Sequence, residues 1–372
     1  MKKVLISCSY FLPNISGVTV YVDILAKKLT EKNFKVSVLT SRHNLKSKIS
    51  ETMGGVDIKR SGVSFSINKG LFMPMFWWDS FKCVKRNDII IANLPQVESV
   101  FLGLWSKLFC KKFIILHHCE FNFGGNLSNK IISLISYPIH LLTYMMAEKI
   151  VSYTKDYADT SIFLKHFKKK IIFILPPVIV GNENKDKQTL IKQKINKKNN
   201  QKIIGFVGRV AWEKGIDVLM KAVSKIKNTK LVLVGPYKQV AGDKSYEKLK
   251  RLIKNNKNVF LWGSIEHEKL VDLYKVFDCL VLPSTNNLET FGIVQAEAMI
   301  SNCPVVASNL PGVRMPVKMT GLGEISKVGN IEDLKIKIEK VLAKKYDKKD
   351  FDNAKKLFSL DRFIGDWQKC LS

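Results

Sequence analysis

Short continuous apolar runs recur along the chain, each followed by a stretch whose apolar residues return every three or four positions. In the first half these runs are Val4–Ser9, Lys35–Thr40, Asp88–Ala92, Phe113–Leu116 and Lys149–Ser152. In the second they are Ile203–Val207, Lys230–Val234, Val259–Trp262, Cys279–Leu282 and Pro304–Ala307. A run without polar alternation, bounded by Gly, Pro or Ser, fits a strand buried on both faces. Its alternation with helical patterns marks parallel, doubly wound sheets. Gly181–Gln201 is Lys- and Asn-rich and poor in strong hydrophobics, as a linker with a solvated loop or helix would be. The pattern predicts an α/β chain of two domains, residues 1–180 and 181–355, with residues 356–372 carrying a last amphipathic helix. In such sheets ligands sit beyond the carboxyl ends of the strands.

The length, 372 residues, suits two domains. With 46% hydrophobic and 25% charged residues, the chain has enough apolar material for full cores, which excludes disordered, collagen-like and coiled-coil classes. Seven scattered cysteines without a C-x-x-C pair argue against a disulfide framework or zinc site and for a reducing, cytoplasmic compartment. Only Val4–Cys8 is apolar after Met1-Lys2-Lys3, too short a run for a signal peptide and right for a first buried strand. Ile131–Ala147 carries Pro138 and His140 and falls short of the roughly 20 apolar residues a span needs. It reads as a buried or membrane-facing helix. The net charge of +29 is shared evenly, +14 in residues 1–180 and +15 in residues 181–372. Such a charge draws a protein towards anionic surfaces, a membrane's inner face among them. No recognition motif or basic–aromatic repeat supports nucleic acid as a partner.

Three stretches carry chemistry. In Ser284–Met299 a strand gives way to a polar loop, and Gly292 is placed to open a helix; Glu289 and Glu297 are separated by seven residues. On one helix the two acids would be about 12 Å apart. With Glu289 in the loop, the helix mouth, with its free N–H groups, would lie between them as a seat for a diphosphate. One acid would then accept from sugar hydroxyls and the other from a ribose, although two acids alone are also what any solvated loop–helix carries. In Phe206–Gly215 a strand runs into Gly208, where the missing side chain admits a ligand. Arg209 offers a fork and Lys214 a point charge to phosphate oxygens; the Walker order is absent. In Leu116–Glu120 two of the six histidines, His117 and His118, end a strand. Neighbours on an extended segment point opposite ways, so at most one faces a cleft.

With these residues assembled, the chain resembles the retaining glycosyltransferases of family 4, of the two-Rossmann GT-B fold. The resemblance rests on E-x7-E at Glu289 and Glu297, on G-R-x4-K-G at Gly208–Gly215, on Pro304–Ser308 and on Pro311–Val313. It extends through Leu273–Asp278 and Leu282–Ser284. It covers most of the chain and is densest in the second half. It implies two Rossmann-like domains facing across a cleft, the second holding a nucleotide-sugar. Arg209 and Lys214, with Gly208, would meet the diphosphate; Glu297 the ribose hydroxyls; Glu289 the donor sugar. Backbone amides around Phe291, Gly292, Ile293 and Val294 would touch sugar and phosphate. The family's H-x-D arrangement selects His118 over His117 as the histidine near the reacting sugar, with Glu120 behind it. The family's Gly-Gly loop survives in Asn14–Val18 as the single Gly17, the close-approach position. Pro176–Ile179 stands where the family often has Asn-Gly-(Val/Ile)-Asp.

The implied reaction is metal-independent transfer of a hexosyl group, with retention, from a nucleoside diphosphate sugar to a hydroxyl of a glycan or lipid-linked acceptor. No cofactor is implied. A D-x-D at Asp350–Asp352 sits in a Lys-rich stretch and reads as a solvated helix start. The alternatives are a nucleotide-sugar epimerase on the same fold, which would need no acceptor, and an inactive basic scaffold. Retention of Arg209, Lys214, Glu289 and Glu297 together argues against the scaffold. Phe72–Trp78 and Ile131–Ala147 are the stretches expected to meet a lipid-linked acceptor or bilayer, unless they are core.

Overall fold

A computed structural model describes residues 1–14, 16–67, 70–120, 127–237, 246–254, 256–286 and 288–372. Ile15, within the expected Asn14–Val18 loop, and Asn287, within Ser284–Met299, lie outside them. The chain divides into two units, Met1–Pro177 with Asp361–Ser372, and Val178–Leu360.

The first unit is built on β1 (Lys3–Ser7), β2 (Lys35–Ser41), β3 (Ser50–Met53), β4 (Val56–Ser61), β7 (Ile89–Leu94), β8 (Lys112–His117), β9 (Lys149–Ser152) and β10 (Ile171–Phe173). A separate hairpin pairs β5 (Phe65–Ile67) with β6 (Gly70–Phe72). The eight strands run in the order β10-β9-β8-β7-β1-β2-β4-β3, all parallel except β3 on its edge. Ile89–Leu94 is buried at every position, which is why it reads as an unbroken apolar run. The sequence pattern misses β4 because it carries Lys59 and Arg60. The Arg60 side chain is buried nonetheless, donating to Lys48 O at 3.0 Å and Leu12 O at 2.9 Å and pairing with Glu51 at 2.6 Å. The edge strand β3 is polar and gives no apolar run, and β10 is only three residues of the apolar stretch that begins at Ile171.

The second unit holds β11 (Lys202–Val207), β12 (Thr229–Val234), β13 (Val259–Gly263), β14 (Cys279–Leu282), β15 (Val305–Ser308) and β16 (Gly323–Ser326). Their order is β13-β12-β11-β14-β15-β16, wholly parallel. The strand order reverses between β11 and β14. Such a switch point opens a crevice at the carboxyl ends of the two strands. Part of the expected linker, Lys185–Lys194, is a helix of this unit, with its N-terminal residue Asn184 accepting from Lys187 N.

The C-terminal stretch forms two helices, Lys348–Leu357 and Leu360–Leu371. The second packs on the first unit: Trp367, fully buried, donates from Nε1 to the Tyr21 hydroxyl at 2.9 Å, and Lys149 Nζ donates to Cys370 O at 2.9 Å. Asp350 and Asp352 lie on the first, where Asp352 pairs with Lys355 at 2.9 Å in the exposed open.

Candidate functional site

The second unit's switch point brings the two strongest sequence stretches together. Beyond β11 the chain enters Gly208 at φ +143°, a backbone region closed to other residues. It passes Arg209 and a 3₁₀ turn, Trp212–Lys214, and reaches Gly215 at φ +70°. A Cβ at Gly215 would lie 2.1 Å from Pro283 O, just past β14. The two loops are thus held backbone to side-chain-free backbone, and glycine is required on both counts. The consequence is a direct ion pair: Lys214 Nζ meets Glu289 Oε2 at 2.7 Å, both groups largely buried.

Glu289 lies in the loop, so the two acids do not share a helix. The helix runs Ile293–Ile300, and Gly292, at φ +75°, is its first cap. A Cβ on Gly292 would fall 2.4 Å from Leu282 Cδ2. No side chain caps this helix mouth, so its first N–H groups, those of Ile293 and Val294 among them, form an electropositive seat. Phe291 is buried beneath it, and Gln295 Nε2 ties the turn by donating to Phe291 O and Val313 O, both at 2.9 Å.

Glu297, one helical turn further on, is buried. Its Oε1 accepts from His267 Nε2 at 2.8 Å and its Oε2 from the Tyr274 hydroxyl at 2.7 Å. The hydrogen bond to Glu297 raises the His267 pKa above its ordinary value, against the opposing effect of burial. Burial and the same carboxylate push the Tyr274 phenol far up, so it stays a donor. His267 and Tyr274 were not singled out in the sequence. Tyr274 lies within the Leu273–Asp278 stretch; His267 had no signal beyond the scarcity of histidine.

In the first unit, His117 and His118 do point opposite ways, but both rings are buried. His117 Nδ1 meets the Tyr144 hydroxyl and its Nε2 the Tyr157 hydroxyl at 3.2 Å. His118 Nε2 meets Asn93 Oδ1 at 2.8 Å and its Nδ1 the Tyr153 hydroxyl. Asn93 in turn donates to Ser7 O at 2.8 Å. An imidazole that donates to an amide oxygen through Nε2 and accepts from a phenol through Nδ1 is the neutral tautomer. Burial holds both rings neutral, with pKa values lowered to about 3. His118 therefore braces the carboxyl ends of β1, β7 and β9. Glu120 serves elsewhere than behind it: Oε1 accepts from the Ser161 hydroxyl at 2.6 Å and Phe163 N at 3.3 Å. Gly17 opens the helix Gly17–Glu31, whose cap is a reciprocal pair between Ser16 and Thr19; a Cβ at Gly17 would meet no protein atom within 4 Å. Among the described residues no three His, Cys, Asp or Glu side chains converge as metal ligands.

Two α/β units, each with its strand order reversing beside its first strand, give the chain the GT-B fold. Residues 187–358 match the family Glycosyl transferases group 1. The chain is similar to an uncharacterized glycosyltransferase of Methanocaldococcus jannaschii, MJ1607, with 28% identity over 86% of this chain and 83% of that one. It is also similar to the phosphatidylinositol N-acetylglucosaminyltransferase GPI3 subunit of Saccharomyces cerevisiae, at 20% identity over 87% of this chain and 72% of the relative. Among solved structures, Anabaena Alr3699/HepE in complex with UDP and glucose superposes with a TM-score of 0.77. That match has 16% identity and covers 100% of this chain and 99% of the other.

Proposed function

We propose that the chain is a retaining glycosyltransferase of family 4 that moves a hexosyl group from a nucleoside diphosphate sugar to a hydroxyl of a glycan or lipid-linked acceptor. One observation carries the reading. At the switch point of the second unit, Arg209, Lys214, an uncapped helix mouth and two acids with different surroundings gather at the ends of β11 and β14. A diphosphate seated on that mouth takes Arg209 and Lys214 as counter-charges, Glu297 faces the ribose, and Glu289 faces the donor sugar. The related structure bound to UDP and glucose supports that class of donor. The name of the yeast relative supports a lipid acceptor.

The chemical problem is charge. As the bond from the anomeric carbon to phosphate oxygen breaks, the leaving diphosphate gains negative charge and the sugar becomes oxocarbenium-like. Preorganised donors at Arg209, Lys214 and the helix mouth stabilise that leaving group, each worth about 3–4 kcal/mol in comparable sites. The acceptor oxygen attacks from the face the phosphate leaves, and its proton passes to the departing phosphate oxygen. This reading assigns Glu289 to sugar hydroxyls rather than to covalent attack. It assigns no metal to the site.

The test is thermal unfolding with UDP, GDP, ADP and dTDP, with and without Mg2+, followed by transfer from the matching sugar nucleotides. A shift for one nucleotide, independent of Mg2+ and lost in Glu297→Ala, supports the donor site. Turnover that requires Mg2+, a trapped glycosyl–Glu289 adduct, or donor conversion without acceptor overturns the corresponding part.

A further inference from the structure

One face of the first unit is apolar where it should be charged. The helix Phe76–Lys85 packs on Ser99–Leu108, and that helix packs on Leu127–Met146. Their inner residues, Phe76, Val84, Leu102, Tyr144 and Met146, close the core over β7 and β8. Their outer residues should face water, yet Trp77, Leu108, Leu134, Ile135, Leu142 and Met145 are all exposed, Leu134 by 77% and Leu108 by 62%. In 76–85, 99–108 and 134–146 the one carboxylate is Asp79, which pairs inward with Lys59 and Ser61, both at 2.7 Å. Exposed large apolar residues of the second unit, such as Leu190, Leu288 and Ile336, stand singly on separate elements, as is normal. A patch spread across three packed helices is not.

The rim of this face is cationic. Lys82 Nζ lies 4.8 Å over the Trp78 ring. At the other end Lys170 Nζ donates to Met145 O and Ala147 O at 2.8 and 2.7 Å, closing the C-terminus of Leu127–Met146. Lys107 is near enough that, after burial, its charge helps hold the Lys170 pKa down. Lys165, Lys168 and Lys169 extend the rim, on a segment docked by stacking of Phe163 on Tyr137 at 5.0 Å.

An apolar helical face with Trp and Tyr, bordered by lysines, is complementary to a bilayer whose headgroups are anionic. No described helix is long and apolar enough to cross a membrane, and a face of this kind suits the surface of a bilayer rather than its interior. We propose that the outward surface of 76–85, 99–108 and 134–146 docks the first unit onto an anionic lipid membrane. The proposal stands apart from the donor-site reading, since none of its residues belongs to that site.

The test is sedimentation of the full chain with vesicles of phosphatidylcholine containing phosphatidylglycerol, against pure phosphatidylcholine. The paired variant Leu134→Glu/Leu142→Glu is expected to bind the anionic vesicles at least tenfold more weakly. The triple variant Lys107→Gln/Lys168→Gln/Lys169→Gln loses about 150-fold, at about 1 kcal/mol per cation. The control Leu190→Glu/Ile336→Glu, on the second unit, binds like the wild type. A measurement on the unmutated chain guards against misfolding: brominated lipid should quench tryptophan emission, and Trp77→Phe/Trp78→Phe should reduce that quenching. No vesicle binding by the wild type overturns the proposal. So does binding that ignores Leu134 and Leu142, which would be charge attraction alone. A dimer in sedimentation equilibrium that the Leu134/Leu142 pair abolishes, without vesicle binding, overturns it in favour of a second copy of the chain.

Discussion

Glu297 is asked to do two things, and Glu297→Ala separates them. In the ligand-free protein its buried carboxylate accepts one hydrogen bond from His267 and one from Tyr274. Hydrogen bonds to a charged group contribute about 1.5–3 kcal/mol each. The Tyr274 hydroxyl is buried with its ring and has no water to turn to, so its bond is lost at full cost. His267 is partly exposed and recovers most of its loss from solvent. The sum is a destabilisation of about 2–4 kcal/mol, roughly 4–16 °C for a domain of this size. Tyr274→Phe removes the stranded donor, so the double variant must be less destabilised than the two single losses added, with a coupling of about 0.5–3 kcal/mol. Nucleotide at 100 times its dissociation constant adds about 2.7 kcal/mol to a protein that binds it. Glu297→Ala loses that increment, whereas Tyr274→Phe keeps it because the carboxylate remains. Thermal unfolding of four proteins, with and without nucleotide, reads all of this. A Glu297→Ala midpoint within 1 °C of wild type, in the roughly 2–4 °C per kcal/mol regime, or strict additivity with Tyr274→Phe, refutes the anchored carboxylate.

The remaining expectations use the same site and its neighbours. Because Glu297 raises the His267 pKa, its contribution to stability is whole below the ordinary histidine value and fades as pH rises through the raised one; His267→Gln should flatten that alkaline slope in a pH series of unfolding midpoints. Burial depresses His117 and His118 to about 3 and His140 to about 4. The first unit should therefore hold its stability above pH 6.5 and lose it as pH falls towards 3, seen by near-ultraviolet circular dichroism. Lys214→Ala should weaken nucleoside diphosphate binding about 10- to 150-fold by calorimetry, the value of a charge-assisted hydrogen bond. Gly215→Ala meets both a left-handed backbone and a clash with Pro283 O, and should cost at least about 2 kcal/mol in denaturant unfolding.

Much of the fold was legible because parallel strands buried on both faces leave unbroken apolar runs. Each of the ten predicted runs overlaps a strand. What escaped did so for local reasons. β4 carries Arg60, whose guanidinium is paid for by backbone carbonyls of Leu12 and Lys48 that only the tertiary structure supplies. β3 is an exposed antiparallel edge, and β16 opens on Gly323 at φ +152°, which lowers any strand reading of a four-residue segment.

The candidate residues of the two units differ in legibility for a physical reason. The second unit's site is made by backbone devices: glycines at positive φ, a helix mouth without a side-chain cap, and loops at adjacent strand ends. Each ties a residue type to a fixed offset from a strand, and such local features are what a sequence displays. Gly215 lies against Pro283 O, and Lys214 pairs with Glu289 across the same two loops. In the first unit the same logic fails. His118 is determined by Asn93, Tyr153 and Tyr21, which come from three other elements, with Tyr21 edge-on at 5.4 Å. Nothing in Leu116–Glu120 shows that the ring will be enclosed rather than presented. His267 is the converse case: it belongs to none of the motifs in the sequence, yet the turn after β13 delivers it to Glu297. A side chain whose role depends on partners from several elements is set by packing, and packing is what a single sequence displays least.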